Sequence, residues 1–128
     1  MIELLDYRKA PSRLRKPGQA VSTDLLKDPN FPVYLEQMKA ILATDGVGLA
    51  ATQVGWSIQL FMLCINSQGE QVSDPDIFLN PKIISSSKQN NEMEEGCLSF
   101  PELFLKVTRP AEVTWQYETL TGEKHTTT

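Results

Sequence analysis

Cys97 lies in the run Glu95-Gly96-Cys97-Leu98-Ser99-Phe100-Pro101 and is the residue of this chain best suited to chemistry. A thiolate is a strong ligand for zinc or ferrous iron, and a glycine just before it lets backbone come close to a bound group. Taken alone, a single cysteine among apolar neighbours is ordinarily a small buried hydrophobe. His125 is the only histidine. One Cys and one His would hold a metal weakly, and near the chain end, on a strand-like stretch, His125 reads as an exposed edge residue. Glu94 and Glu95 are neighbours in extended chain, so they face opposite ways and make no paired-carboxylate site. Gln53, taken alone, is an ordinary polar loop residue. Cys64 sits within the apolar run from Ile58 to Ile65, which favours an inert thiol, whereas Cys97 should be the reactive one.

The elements that must carry these residues are short. Residues 1–30 hold Pro11, Pro17, Gly18, Pro29 and Asn30, too much punctuation for long regular structure but suited to an arm that wraps a core. Pro32 fits a first helical turn, with Asn30 as cap, and Leu35, Met38, Ile41 and Leu42 recur at helical spacing, which predicts an amphipathic helix ending at Gly46. Because Gly46 and Gly48 follow a helix instead of opening one, they do not form a phosphate-binding loop. The nearly continuous apolar run Ile58 to Ile65 predicts a strand covered on both faces. Beyond it come a turn at Asn66-Ser67-Gln68-Gly69, extended chain from Ile77 to Ile84 broken at Asn80-Pro81, and a polar loop from Ser85 to Asn91. Val113, Trp115 and Tyr117 alternate with Thr114, Gln116 and Glu118, a half-buried strand that Thr121-Gly122 turns into a hairpin with Thr126-Thr127-Thr128. The fold class expected is α+β, with short antiparallel sheets.

With 128 residues, 41% of them hydrophobic and 22% charged, the chain has the size and composition of one globular domain. A net charge of -4 offers no general attraction to nucleic acid or to an anionic membrane. No run of about eighteen apolar residues exists to cross a bilayer. The opening Met1-Ile2-Glu3-Leu4-Leu5-Asp6 lacks the basic start and apolar stretch of a secretory signal, so the cytoplasm is the expected location, where two cysteines are free thiols or a metal ligand sooner than a disulfide.

Two segments, Gly46-Val47-Gly48-Leu49-Ala50-Ala51-Thr52-Gln53 and Glu95-Gly96-Cys97-Leu98-Ser99-Phe100-Pro101, together resemble two of the three signature segments of peptide deformylases. Ser12-Arg13-Leu14-Arg15 is similar to the family's N-terminal Arg-Leu-Arg segment, and Arg109-Pro110-Ala111-Glu112-Val113 to the stretch after its cysteine segment, in the same order. The third signature, a helical His-Glu-x-x-His, is not among these residues, and Gly122-Glu123-Lys124-His125 falls by this alignment in the strand preceding it. The expectation is a single peptide-deformylase-like domain over residues 1–128 that lacks the C-terminal metal-binding helix. Its sheets would enclose the place of that helix.

The resemblance implies a role for each matched residue. Cys97 would be one protein ligand of a divalent metal (Fe2+, Zn2+ or Ni2+), beside two histidines and a water, with the glutamate of the helix as general base. The side-chain amide of Gln53 and the backbone N–H of Leu98 would donate to the oxyanion. Backbone at Gly48, Gly96 and Leu98 would hold an extended N-formylmethionyl peptide by strand addition. Val47, Met93 and Phe104 would line the pocket for its first side chain, and Glu95 would support the cysteine loop by pairing with Arg109. With two histidines and the base missing, residues 1–128 alone are expected to be inactive. The alternatives are an inert peptide-binding module or a fragment completed by another chain. If the helix is absent, the second face of Ile58 to Ile65 needs other cover, which predicts a dimer or an exposed apolar patch.

Overall fold

The computed structural model describes residues 2–44, 46–66 and 68–128. Met1, and Ser67 of the expected Asn66–Gly69 turn, lie outside the described residues. Two short helices, α1 (Pro11–Leu14) and α2 (Thr23–Leu26), punctuate the N-terminal arm before the main helix α3 (Asn30–Leu42). Five strands form one antiparallel sheet in the order β1 (Gly48–Ala50), β2 (Leu60–Ile65), β3 (Gln71–Ser86), β6 (Val113–Glu118) and β7 (Lys124–Thr127). A separate two-stranded sheet pairs β4 (Asn90–Cys97) with β5 (Phe100–Pro110). The α+β class and the antiparallel sheets are as the sequence predicts.

Helix α3 forms because Phe31, Leu35, Met38 and Leu42 recur on one face, and all four are buried. Asn30 is not the cap but the first helical residue; the cap position belongs to Pro29. The side chain of Asp28 takes over the capping bond, accepting from the Asn30 N–H at 2.8 Å. The helix also stops at Leu42, short of Gly46, and the Thr44 hydroxyl donates to the Ile41 carbonyl at 2.7 Å in the turn that follows.

Strand β2 is covered unequally on its two faces. Leu60, Met62 and Cys64 are buried toward the core they share with Met38, Leu42 and Leu49, whereas Phe61, Leu63 and Ile65 are only half-buried. Cover on that second face comes from rings on neighbouring strands. Phe61 stacks on Phe78 at 4.9 Å, and Phe78 meets Trp115 at 5.2 Å and Tyr117 at 4.8 Å. Such offset and edge-on pairs hide much of each ring inside the sheet surface, which weakens the ground for expecting a second copy there.

The expected break at Asn80-Pro81 is a bulge within the long strand β3, with Asn80 at φ 49° and a register shift between Leu79 and Lys82. Asn80 tolerates this backbone and uses its side chain to hold the arm: its Oδ1 accepts from Val21 N–H at 2.7 Å and its Nδ2 donates to Val21 C=O at 3.1 Å. The polar loop expected over Ser85 to Asn91 shrinks to three residues. Ser87 N–H bonds Glu112 C=O and Ala111 N–H bonds Gln89 C=O, which extends the pairing almost to the turn.

Candidate functional site

Gln53 sits on a single 3-10 turn, Ala51–Val54, whose Ala51 and Val54 are buried and leave the glutamine turned toward the hairpin tip. Its side-chain oxygen accepts from Ala50 N–H at 2.9 Å, so the amide nitrogen must point the other way. That nitrogen lies 3.3 Å from Cys97 Sγ and 3.3 Å from Ser99 Oγ, contacts that span 44 and 46 residues of chain. The two segments singled out in the sequence therefore meet. Cys97 ends β4 and is exposed, and Leu98 and Ser99 form the two-residue turn before Phe100. Gly46 also approaches this turn, since a Cβ placed on it would stand 3.2 Å from Leu98 Cδ1.

Sequence reasoning expected an arm that wraps a core but placed neither Ser99 nor the arm's Leu5 and Tyr7 at the site. Ser99 is 1% exposed, the one buried polar residue among those described. The arm bonds to both halves of the site: Leu5 N–H donates to Gln53 C=O at 2.7 Å and Tyr7 N–H to Ser99 C=O at 2.9 Å. Tyr7 also stacks on Phe100, with ring centroids 4.6 Å apart. Ser99 belongs to the Glu95–Pro101 segment, but a buried hydroxyl bonded to Gln53 has no local sequence signal. Leu5 and Tyr7 carry none at all.

Glu95 and Arg109 form a two-point ion pair, Arg109 Nε to Glu95 Oε2 at 2.6 Å and Nη2 to Oε1 at 2.6 Å. These hydrogen bonds, more than the charge alone, hold the Glu95 carboxyl below its usual range. Met93 pairs with Val107 and Gly96 with Phe104, so on the two-residue strand period Met93 faces one side of the hairpin and Phe104 the other. The two cannot line one pocket in this register. Phe104 instead lies beside Gly96, where an added Cβ would come within 2.7 Å of its ring. Val47 is exposed, and its carbonyl accepts from Cys64 N–H at 2.8 Å. Gly48 pairs with Leu63 on β1, an edge of the five-stranded sheet.

His125 lies on β7, at the opposite edge of that sheet, stacked on Tyr117 at 5.5 Å and 3.4 Å from a Glu123 carboxylate oxygen. It stands apart from Cys97. Among the described residues no three His, Cys, Asp or Glu side chains cluster as a metal site would need. Cys97 can supply one thiolate, and the described residues do not by themselves fit a bound metal. No helix among them is long and apolar enough to cross a membrane.

Residues 1–128 match the family described as polypeptide deformylase. The peptide deformylase of Rhodopseudomonas palustris (strain BisB18) is 36% identical over 112 residues, covering 85% of this chain and 60% of that protein. That of Pseudothermotoga lettingae is 37% identical over 111 residues, covering 87% and 60%. Among solved structures, peptide deformylase from Thermotoga maritima superposes with a TM-score of 0.81 at 31% identity, over 98% of this chain and 79% of that one. A Met-Ala-Ser-bound class I type b peptide deformylase from Acinetobacter baumannii gives 0.83 at 27% identity, over 99% and 82%. The chain thus spans about 60% of the length of these curated relatives.

Proposed function

This chain belongs to the peptide deformylase family, and we propose that the whole protein hydrolyses the formyl amide of N-formylmethionyl peptides, releasing formate and a free amine. The observation that carries this reading is the approach of Gln53 Nε2 to within 3.3 Å of Cys97 Sγ, which joins the family's two matched segments at one point. The family is metal-dependent, and Cys97 would be one ligand of Fe2+, Zn2+ or Ni2+. When bound, such an ion supplies an activated water.

The chain's own residues bind and orient. Gln53 Nε2, with its carbonyl end tied to Ala50, is a preorganised donor for charge that develops on the formyl oxygen, and the Leu98 N–H is the second. The outer edge of β1 at Gly48, facing the turn through Gly46 and Leu98, suits an extended peptide added as a strand. Val47 and Met93, both exposed and apolar, would border the pocket for the first side chain, with Phe104 flanking the backbone at Gly96. The Glu95–Arg109 pair would brace the strand that delivers Cys97.

Formate release from formyl-Met-Ala-Ser by the whole protein, with ferrous, nickel or zinc ion, tests the reading. Gln53→Ala should lower kcat by about 10²–10³. No release with any of the three ions would overturn it.

A further inference from the structure

We propose that Leu5 to Tyr7 of the N-terminal arm and the hydroxyl of Ser99 act together as a clamp that positions the Gln53 amide against Cys97. The proposal rests on the reading of Gln53 as an oxyanion donor, and its test separates the two.

Three observations converge on the clamp. The first is the arm itself: Leu5 and Tyr7, two residues apart, donate their N–H groups to Gln53 C=O and Ser99 C=O at 2.7 and 2.9 Å, so one short segment ties together residues from two distant parts of the chain. The second is what anchors that segment. Leu5 is 3% exposed, and the Tyr7 ring lies flat on Phe100 with an interplanar angle of 11°. Just past Asp6 the arm turns, because the Asp6 carboxylate accepts from the Arg8 N–H at 2.8 Å and from its guanidinium at 2.7 Å, and its carbonyl accepts from Lys9 and Ala10. The third is Ser99. Its buried Oγ takes one N–H of Gln53 while the other points at Cys97 Sγ, so the amide is held at three points once the Ala50 bond is counted.

Glutamine has three rotatable bonds, and an amide that is to meet developing charge loses effect steeply when it wanders. A displacement of about 1 Å can cost roughly 10²-fold in rate. Ser99 and Tyr7 touch no substrate in this scheme. They are positioning residues, and the expected signature is a fall in kcat with KM held, since the oxyanion donor acts on the transition state.

The test uses the whole protein and three variants. Ser99→Ala removes the buried acceptor, Tyr7→Ala removes the stack but leaves the backbone bond possible, and Tyr7→Phe keeps the ring. Proton-nitrogen NMR of the Gln53 side-chain amide is the direct readout, independent of turnover. Its two proton signals should shift and broaden in Ser99→Ala and Tyr7→Ala and stay in place in Tyr7→Phe. In the formate assay the first two should lose about tenfold in kcat with KM within about twofold, and Tyr7→Phe should match the parent. Unmoved Gln53 signals in Tyr7→Ala and Ser99→Ala would overturn the clamp, as would a raised KM with kcat unchanged. If the signals respond but the parent protein releases no formate, the clamp stands and the functional reading falls.

Discussion

Helix α3 with the sheet it packs on, and the β4–β5 hairpin, are built by opposite rules. Phe31, Leu35, Met38 and Leu42 of the helix meet Leu49, Leu60, Met62 and Leu79 of the sheet, and all are buried. The hairpin contributes no buried residue from either strand; only Ser99, in its turn, is enclosed. Met93, Phe104 and Leu105 stand in solvent at more than half of full exposure. Core packing therefore fixes the half of the site that carries Gln53, whereas the half that carries Cys97 is held at its tip by hydrogen bonds and one ring stack, with an ion pair joining its own two strands. Within residues 1–128 the two halves of the site are thus held in different ways. A precise constellation needs the few residues near the chemistry to be tied at enough points.

Truncating side chains is the strongest way to break that comparison. Met62 is fully buried, so Met62→Ala should destabilise the protein by about 2–5 kcal/mol. Leu105→Ala, at a residue 56% exposed, should change stability by less than about 0.5 kcal/mol. Chemical denaturation of both reads the contrast, and equal losses would mean that the hairpin is packed more tightly than its exposure indicates.

Glycines sharpen it. A Cβ on Gly18 would meet the Ile58 carbonyl carbon and oxygen at 2.6 Å, backbone that cannot step aside, and Gly18→Ala should cost about 1–3 kcal/mol. A Cβ on Gly96 would meet the Phe104 ring at 2.7 Å, which is 65% exposed and free to swing, so Gly96→Ala should cost under about 1 kcal/mol. Reversal of that order in thermal melts would show the ring to be clamped.

The two thiols divide along the same line. Cys64 is 5% exposed and must wait for local opening, whereas Cys97 is open on the hairpin. Brief alkylation and peptide mapping should label Cys97 faster by about tenfold or more. Preferential labelling of Cys64 would refute the division.

The smallest effect is electrostatic. Because Arg109 holds the folded-state pKa of Glu95 below its ordinary 4.5, the pair supports the fold above that value and its support is lost as pH falls through the lowered pKa. An NMR titration of the Glu95 carboxyl carbon should give a midpoint below 4.5, and Arg109→Ala should return it to the ordinary range. High salt should weaken the shift, as expected of exposed charges. An unshifted midpoint in the parent protein would mean that the pair does not persist in solution.

Much of this was legible in residue order alone. The 3.6-residue rhythm of α3, the alternation of Val113 to Glu118, the break at Asn80-Pro81 and the turn at Gly122 are all short-range effects of side-chain shape and backbone freedom, so a few neighbouring residues suffice to predict them. The two segments that resemble peptide deformylases were equally plain, and residues 1–128 match that family. Tertiary structure decided the rest. Whether Met93 and Phe104 share a wall depends on register, and a shift of one residue reverses the face on which a side chain lies. The second face of β2 looked in need of another layer because apolar content does not reveal that Phe61, Phe78 and Trp115 cover one another across strands. Gln53 meets Cys97 and Ser99 across 44 and 46 residues, and the N-terminal arm bonds to Gln53 and Ser99. No local pattern encodes such meetings, because their positions are set by how a helix, two sheets and a folded-back arm pack together.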